Sequence, residues 1–162
     1  MTMDQLIADF SKQLEEAVLI GEGVKLKVDS SRIQNIVVSG LGGSGIGGNL
    51  VAELVSDQLK VPYSVNKGYF LPAFVGENTL VIVSSYSGNT EETTSAMSQA
   101  IERGAQIICV TSGGKVQQTA MENSIDCITI PGGMPPRACL GYSFVQQLYI
   151  LKELGLTDDS VI

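Results

Sequence analysis

Five short apolar runs recur along the chain: Ile33–Ser39, Val61–Val65, Thr79–Ser84, Gln106–Thr111 and Asp126–Ile130. Four of them lead, through a turn rich in glycine, proline or hydroxyl residues, into a stretch with helical spacing (46–59, 90–103, 115–123 and 138–154). The second leads instead into a loop, 67–78, containing Pro72. Strands alternating with helices at this spacing build parallel βαβ units. Runs as continuously apolar as Thr79-Leu80-Val81-Ile82-Val83 suit strands covered on both faces. The expectation is therefore an α/β fold, a doubly wound, three-layer αβα domain around a five-stranded parallel sheet. A flavodoxin-like strand order, 2-1-3-4-5, would bring the turns after strands 1 and 3 together at the switch point where such sheets bind ligands. Leu6, Ile7, Phe10, Leu14, Val18 and Leu19 predict one helix from residue 3 to about 20, capped by Thr2 or Asp4.

The turn after the third strand is the most informative chemically. Ser84-Ser85-Tyr86-Ser87-Gly88-Asn89-Thr90-Glu91-Glu92-Thr93 joins a buried strand to a helix start. The first turn of a helix has unpaired N–H groups and the positive end of the peptide dipoles. Ser85, Ser87 and Thr90 add hydroxyl donors there, which makes the turn a candidate phosphate cradle. The structural alternative is plain capping by Ser87 or Asn89, with Glu91 and Glu92 favoured by the dipole. Either glutamate could be named as a base, but it would face a repelling dianion far from the reacting carbons of a sugar.

The turn after the first strand is read as a glycine loop, Gly40 to Gly48. Gly40-x-Gly42-x-x-Gly45 is a formal match to the dinucleotide fingerprint, but the second strand runs into Val65-Asn66-Lys67 without the acidic residue that would hold a ribose. No Gly-Lys-Ser/Thr follows, so the Walker type of phosphate loop fails. Two readings remain: glycines that let strand and helix pack closely, or a backbone near Gly43 and Ser44 that approaches a sugar or phosphate. After the fifth strand, Pro131-Gly132-Gly133-Met134-Pro135-Pro136 sets Arg137 at the expected start of the last helix. A cation there opposes the helix dipole. It is either a surface or interface arginine, or one that stabilises charge on a ligand.

Composition excludes several classes. The chain has 162 residues, net charge −7 and no histidine. Its lysines are scattered, so nucleic acid and anionic membrane surfaces are not expected partners. A histidine-based triad or metal site is excluded within this sequence, leaving Glu, Lys, Tyr or Cys for acid–base chemistry. The three cysteines have neither zinc nor redox spacing; Cys109 and Cys127 read as small buried hydrophobes of a reducing compartment. No signal pattern or membrane-length run is found, and a cytoplasmic location is expected.

Gly42-Gly43-Ser44-Gly45, Ser85-Tyr86-Ser87-Gly88-Asn89-Thr90-Glu91-Glu92-Thr93 and Pro135-Pro136-Arg137-Ala138-Cys139-Leu140-Gly141-Tyr142 together resemble one family. The chain is similar to the N-terminal half of bifunctional phosphoglucose/phosphomannose isomerases, which are built from two sugar-isomerase (SIS) domains. The resemblance implies that Ser44, Ser85, Ser87 and Thr90, with the backbone of Gly43, bind the phosphate of a phosphorylated hexose. It implies that Arg137 stabilises a cis-enediolate between glucose or mannose 6-phosphate and fructose 6-phosphate, with no metal or organic cofactor. The family's glutamate base, ring-opening histidine and a lysine belong to the second domain or a partner subunit, so this chain alone is expected not to turn over. Cys139 stands where a small residue such as alanine is expected. On this reading residues 1–33 are an N-terminal helix and connection, 34–156 the SIS domain, and 157–162 the start of a linker to a second SIS domain. The apolar surface of the first and last helices suggests a homodimer. The alternative is a non-catalytic SIS module that binds a phosphosugar as effector; nothing basic precedes the first strand to serve a DNA-binding regulator.

Overall fold

The computed structural model describes residues 2–162. Five parallel strands, β1 (Asn35–Ser39), β2 (Tyr63–Asn66), β3 (Thr79–Ser85), β4 (Gln106–Thr111) and β5 (Asp126–Thr129), form one sheet in the order β2-β1-β3-β4-β5. This is the expected α/β fold and strand order. β3 is central and all seven of its residues are buried, which its unbroken apolar run requires. The edge strands β2 and β5 are only partly covered.

Among the described residues six α-helices accompany the sheet: α1 (Met3–Ala8), α2 (Phe10–Glu22), α3 (Gly42–Leu54), α4 (Glu91–Glu102), α5 (Gly114–Glu122) and α6 (Leu140–Glu153). Side chains alternate across β3. Leu80 and Ile82 enter a core shared with α6, whereas Val81 and Val83 enter a second core under α4 and α5. α6 is buried along most of its length because α2 packs over its outer side. That contact is close and polar at several points. Gly21 lies under the Tyr149 ring, where a Cβ would come within 2.1 Å of the ring carbon Cδ2. Gln146 donates to the Ala17 carbonyl at 2.7 Å, and Gln13 donates to the Ala138 carbonyl at 2.7 Å. Tyr142 donates to Glu16.

Three boundaries differ from expectation, each for a local reason. The N-terminal helix is broken at Asp9, which ends α1 and begins α2. The apolar period runs through the break, so spacing alone does not reveal it. Thr2 caps α1 in a reciprocal box with Gln5. The glycine loop is mostly helix, since α3 begins at Gly42. A Cβ on Gly48 would lie 3.1 Å from Val65 and 3.2 Å from Val38, so these glycines allow the helix to sit against the sheet. Finally, Pro136–Ala138 form a 3-10 turn, and α6 starts only at Leu140. Residues Asp159–Val161 form another short 3-10 turn, and the neighbouring Asp158 N–H donates to Gln58 at 3.0 Å.

Candidate functional site

The carboxyl ends of β1 and β3 are adjacent, and the turns leaving them open onto one cavity of about 350 Å³. Leu41 to Ser44 supply one wall. Ser84 to Ser87 and Thr90 supply the floor and a second wall. Pro136, Cys139 and Ser143 close the third side from the approach to α6. The structure therefore gathers Gly43, Ser44, Ser85, Ser87 and Thr90, as the sequence leads one to expect.

Two helix N-termini meet here, and no side chain among the described residues caps either. Leu41 precedes α3 and Thr90 precedes α4. The capping alternative for Ser87 and Asn89 thus does not hold at α4. Asn89 instead reaches across to accept from the Lys115 N–H at 3.1 Å, serving the first turn of α5. Ser87 Oγ accepts from the Asn89 N–H at 3.2 Å, so its hydroxyl hydrogen is free. Ser85 Oγ accepts from the Gly88 N–H at 3.2 Å and donates to Thr90 Oγ1 at 3.3 Å, leaving the Thr90 hydrogen free in turn. Both of these unspent donors belong to residues that line the cavity.

The turn is held rigidly. Gly88 has φ +69°, and a Cβ there would lie 1.8 Å from the Gly113 carbonyl oxygen. Only glycine fits. The Tyr86 carbonyl accepts from both the N–H and the hydroxyl of Ser112, at 3.0 and 2.6 Å. The Tyr86 hydroxyl accepts from the Met134 N–H at 3.1 Å, tying the turn to the 131–136 loop. Burial pushes the Tyr86 phenol and the Cys139 thiol up from their ordinary values, so both remain protonated at neutral pH. Cys139 Sγ donates to the Pro135 carbonyl at 3.4 Å.

No lysine, arginine or carboxylate lines the cavity among the described residues. Any negative ligand there would be met by dipoles, N–H groups and hydroxyls. Arg137 is not in the lining. It is exposed on the outer side of its 3-10 turn, beside Leu6, Ile7 and Phe10 at a separate apolar hollow. It makes no ion pair among the described residues. The 3-10 turn, which delays the start of α6, accounts for this placement. Glu91 is turned away, accepting from Tyr69 at 3.2 Å. Sequence reasoning missed Ser84, Tyr86, Pro136, Cys139 and Ser143 as lining residues. For Ser84 a signal exists: it interrupts the alternation Leu80, Ile82 on one face of an otherwise apolar strand. No such signal marks Ser143 within α6.

A fold of this order, with two bare helix N-termini and several hydroxyls at the switch point, defines a doubly wound α/β domain with one cavity at the carboxyl ends of β1 and β3. The SIS domain family matches residues 31–151, and the chain belongs to that family. It is 47% identical over 156 residues to the bifunctional phosphoglucose/phosphomannose isomerase of Caldicellulosiruptor bescii, covering 96% of this chain and 46% of that protein. It is 35% identical over 121 residues to the D-glucosamine-6-phosphate 4-epimerase of Sulfolobus acidocaldarius, covering 74% of this chain and 38% of that one. In fold it is similar to the C-terminal domain of glucosamine-fructose-6-phosphate aminotransferase from Francisella tularensis, with TM-score 0.74 at 14% identity, over 97% of this chain and 50% of that one. The chain thus spans less than half the length of these two curated relatives.

Proposed function

We propose that this chain is the phosphosugar-binding half of an aldose–ketose isomerase that interconverts glucose 6-phosphate or mannose 6-phosphate with fructose 6-phosphate. One observation carries the reading. The uncapped N-termini of α3 and α4, with the free hydroxyls of Ser87 and Thr90, converge on one cavity with no cation in its lining among the described residues. Such a cradle suits the phosphate, and its volume leaves room for the sugar. The resemblance to phosphoglucose/phosphomannose isomerases supports the substrate class.

In this reading Ser44, Ser87, Thr90 and the Gly43 backbone contact phosphate oxygens, while Ser85 orients Thr90. Arg137 stabilises the cis-enediolate, for which its side chain must swing over Pro136 from the outer face. The proton between C1 and C2 is carried by a group outside these residues, because among the described residues no carboxylate or lysine lines the cavity, and Tyr86 and Cys139, which do, are held protonated by burial. The isolated chain then binds phosphosugar without turnover. The same observation also suits the second reading, a non-catalytic module with a phosphosugar effector. A phosphosugar isomerisation assay on the chain joined to a second SIS domain separates the two.

The test is a thermal-stability titration with fructose 6-phosphate, with fructose and inorganic phosphate as controls. A ligand at about 100 times its Kd stabilises the native state by about 2.7 kcal/mol. For a chain of this size that is a rise of roughly 5–10 °C. Ser87→Ala should leave the unliganded melting temperature within about 2 °C, because the hydroxyl is exposed. It should weaken sugar-phosphate binding about tenfold. An unshifted wild-type melting curve, or an equal shift with plain fructose, would refute the reading.

A further inference from the structure

We propose that Ser84, with Ser143, forms a second subsite in the cavity, one that reads a hydroxyl of the sugar rather than its phosphate. The inference rests on the phosphosugar reading and deepens it.

Strand alternation puts Ser84 on the face of β3 that carries Leu80 and Ile82, toward α6. Its register partner, Val110, also belongs to that core. An apolar side chain would continue the pattern. Instead a fully buried hydroxyl stands there, on a residue that lines the cavity, and Ser84 Oγ has no hydrogen-bond partner among the described residues. A buried hydroxyl without a partner is costly, so a ligand that satisfies it gains affinity. Ser85, the next residue, faces the other way and joins the α4 side of the cavity through Thr90.

The two sides differ in hydrogen-bond polarity. On the α4 side Ser87 and Thr90 present free hydrogens beside a helix N-terminus, which suits an anion that can only accept. On the α6 side the hydroxyl of Ser143 is spent on the Leu140 carbonyl at 3.2 Å, and the Cys139 thiol is directed to Pro135. Ser143 therefore offers lone pairs. Phosphate oxygens would be repelled there, whereas an O–H can donate. Ser84, able to donate and accept, lines the same cavity and adds a second partner for a sugar hydroxyl. Ser143 is 5% exposed and Ser84 is 0%, so bulk water satisfies neither, and the Ser84 side chain must turn toward the cavity to meet a ligand.

The experiment measures Kd for fructose 6-phosphate and for inorganic phosphate with the wild-type chain, Ser84→Ala and Ser143→Ala. Each serine variant should weaken fructose 6-phosphate about tenfold and leave inorganic phosphate within about twofold. Equal weakening of both ligands would place Ser84 in the phosphate cradle, and no change in either would make it a structural hydroxyl; both overturn the inference. If the alanine variant folds poorly, Ser84→Cys preserves shape with a weaker donor and should show the same selective loss. Wild-type chain that binds neither ligand would sink the phosphosugar reading itself. Wild-type binding with unselective variants would sink only the subsite.

Discussion

The turn after β1 and the turn after β3 do the same thing with different chemistry. Each delivers an uncapped helix N-terminus to the cavity. The β1 turn does so by removing side chains: Gly40, Gly45 and Gly48 sit where a Cβ would meet backbone or core atoms, and Ser44 is its only hydroxyl in the lining. The β3 turn does so by adding side chains, with the hydroxyls of Ser84, Ser85, Ser87 and Thr90 all in the lining and one glycine locking them in place. The first turn sets how closely chain and ligand can approach. The second sets what the ligand must be. Substitutions at the packed glycines of the first should therefore register in stability, and those at the hydroxyls of the second in affinity.

Gly88→Ala should have the largest effect. The new methyl would overlap the Gly113 carbonyl at 1.8 Å in a left-handed conformation. A loss of more than about 3 kcal/mol is expected in urea denaturation. A near-normal midpoint would mean that the β3 turn is not locked by the β4–α5 connection, and the division between the turns would fail at once.

Gly40→Ala comes next. Its Cβ would lie 2.9 Å from the Ser84 carbonyl oxygen, and Gly40 is outside α3, so no gain in helix propensity offsets the clash. The expected loss is about 1–3 kcal/mol, because backbone must move. Since Ser84 itself would be displaced, ligand affinity should fall as well. A stable Gly40→Ala protein would show the β1 turn to be less tightly packed than the glycine spacing indicates.

Asn89→Ala should cost about 1 kcal/mol, the ordinary worth of a helix cap. Here the cap belongs to α5 through Lys115 rather than to α4. Hydrogen exchange distinguishes the two: faster exchange should appear at the start of α5 while α4 is unchanged. The reverse pattern would restore the local-capping explanation of the β3 turn.

How much of this is legible in the sequence follows the same contrast. Strand positions and their order can be read because burial on both faces forces long apolar runs, and because parallel neighbours restrict the crossovers. The hydroxyl turn can be read because three hydroxyls crowded at a helix start exceed what capping needs. The glycine turn reads as a loop and is mostly helix. Glycine marks a bend in most local contexts, but here its smallness is used inside a helix, and only the positions of Val38, Val65 and Gln147 around α3 reveal that. Arg137 lies away from the cavity for a similar reason. Two prolines fix the chain direction but not where the following helix begins, and three residues of 3-10 turn are enough to point a side chain outward. The break at Asp9 is hidden because a one-residue interruption hardly disturbs the apolar period.

Gly43→Ala is the smallest stability change and the sharpest test of the contrast. Gly43 lies in the first turn of α3, and the nearest atom to a methyl added there would be the Pro136 carbonyl oxygen at 3.6 Å, an ordinary contact. Its φ is not among the positive values. Alanine should therefore be neutral, or stabilise by up to about 1 kcal/mol through helix propensity. Yet Gly43 lines the cavity, so the methyl would stand between the α3 backbone and a bound phosphate. Unchanged or higher stability with weakened fructose 6-phosphate binding would show that this one glycine is kept bare for the ligand, unlike Gly40. Unchanged affinity would mean that the β1 turn contributes packing alone, and that the phosphate is held from the α4 side.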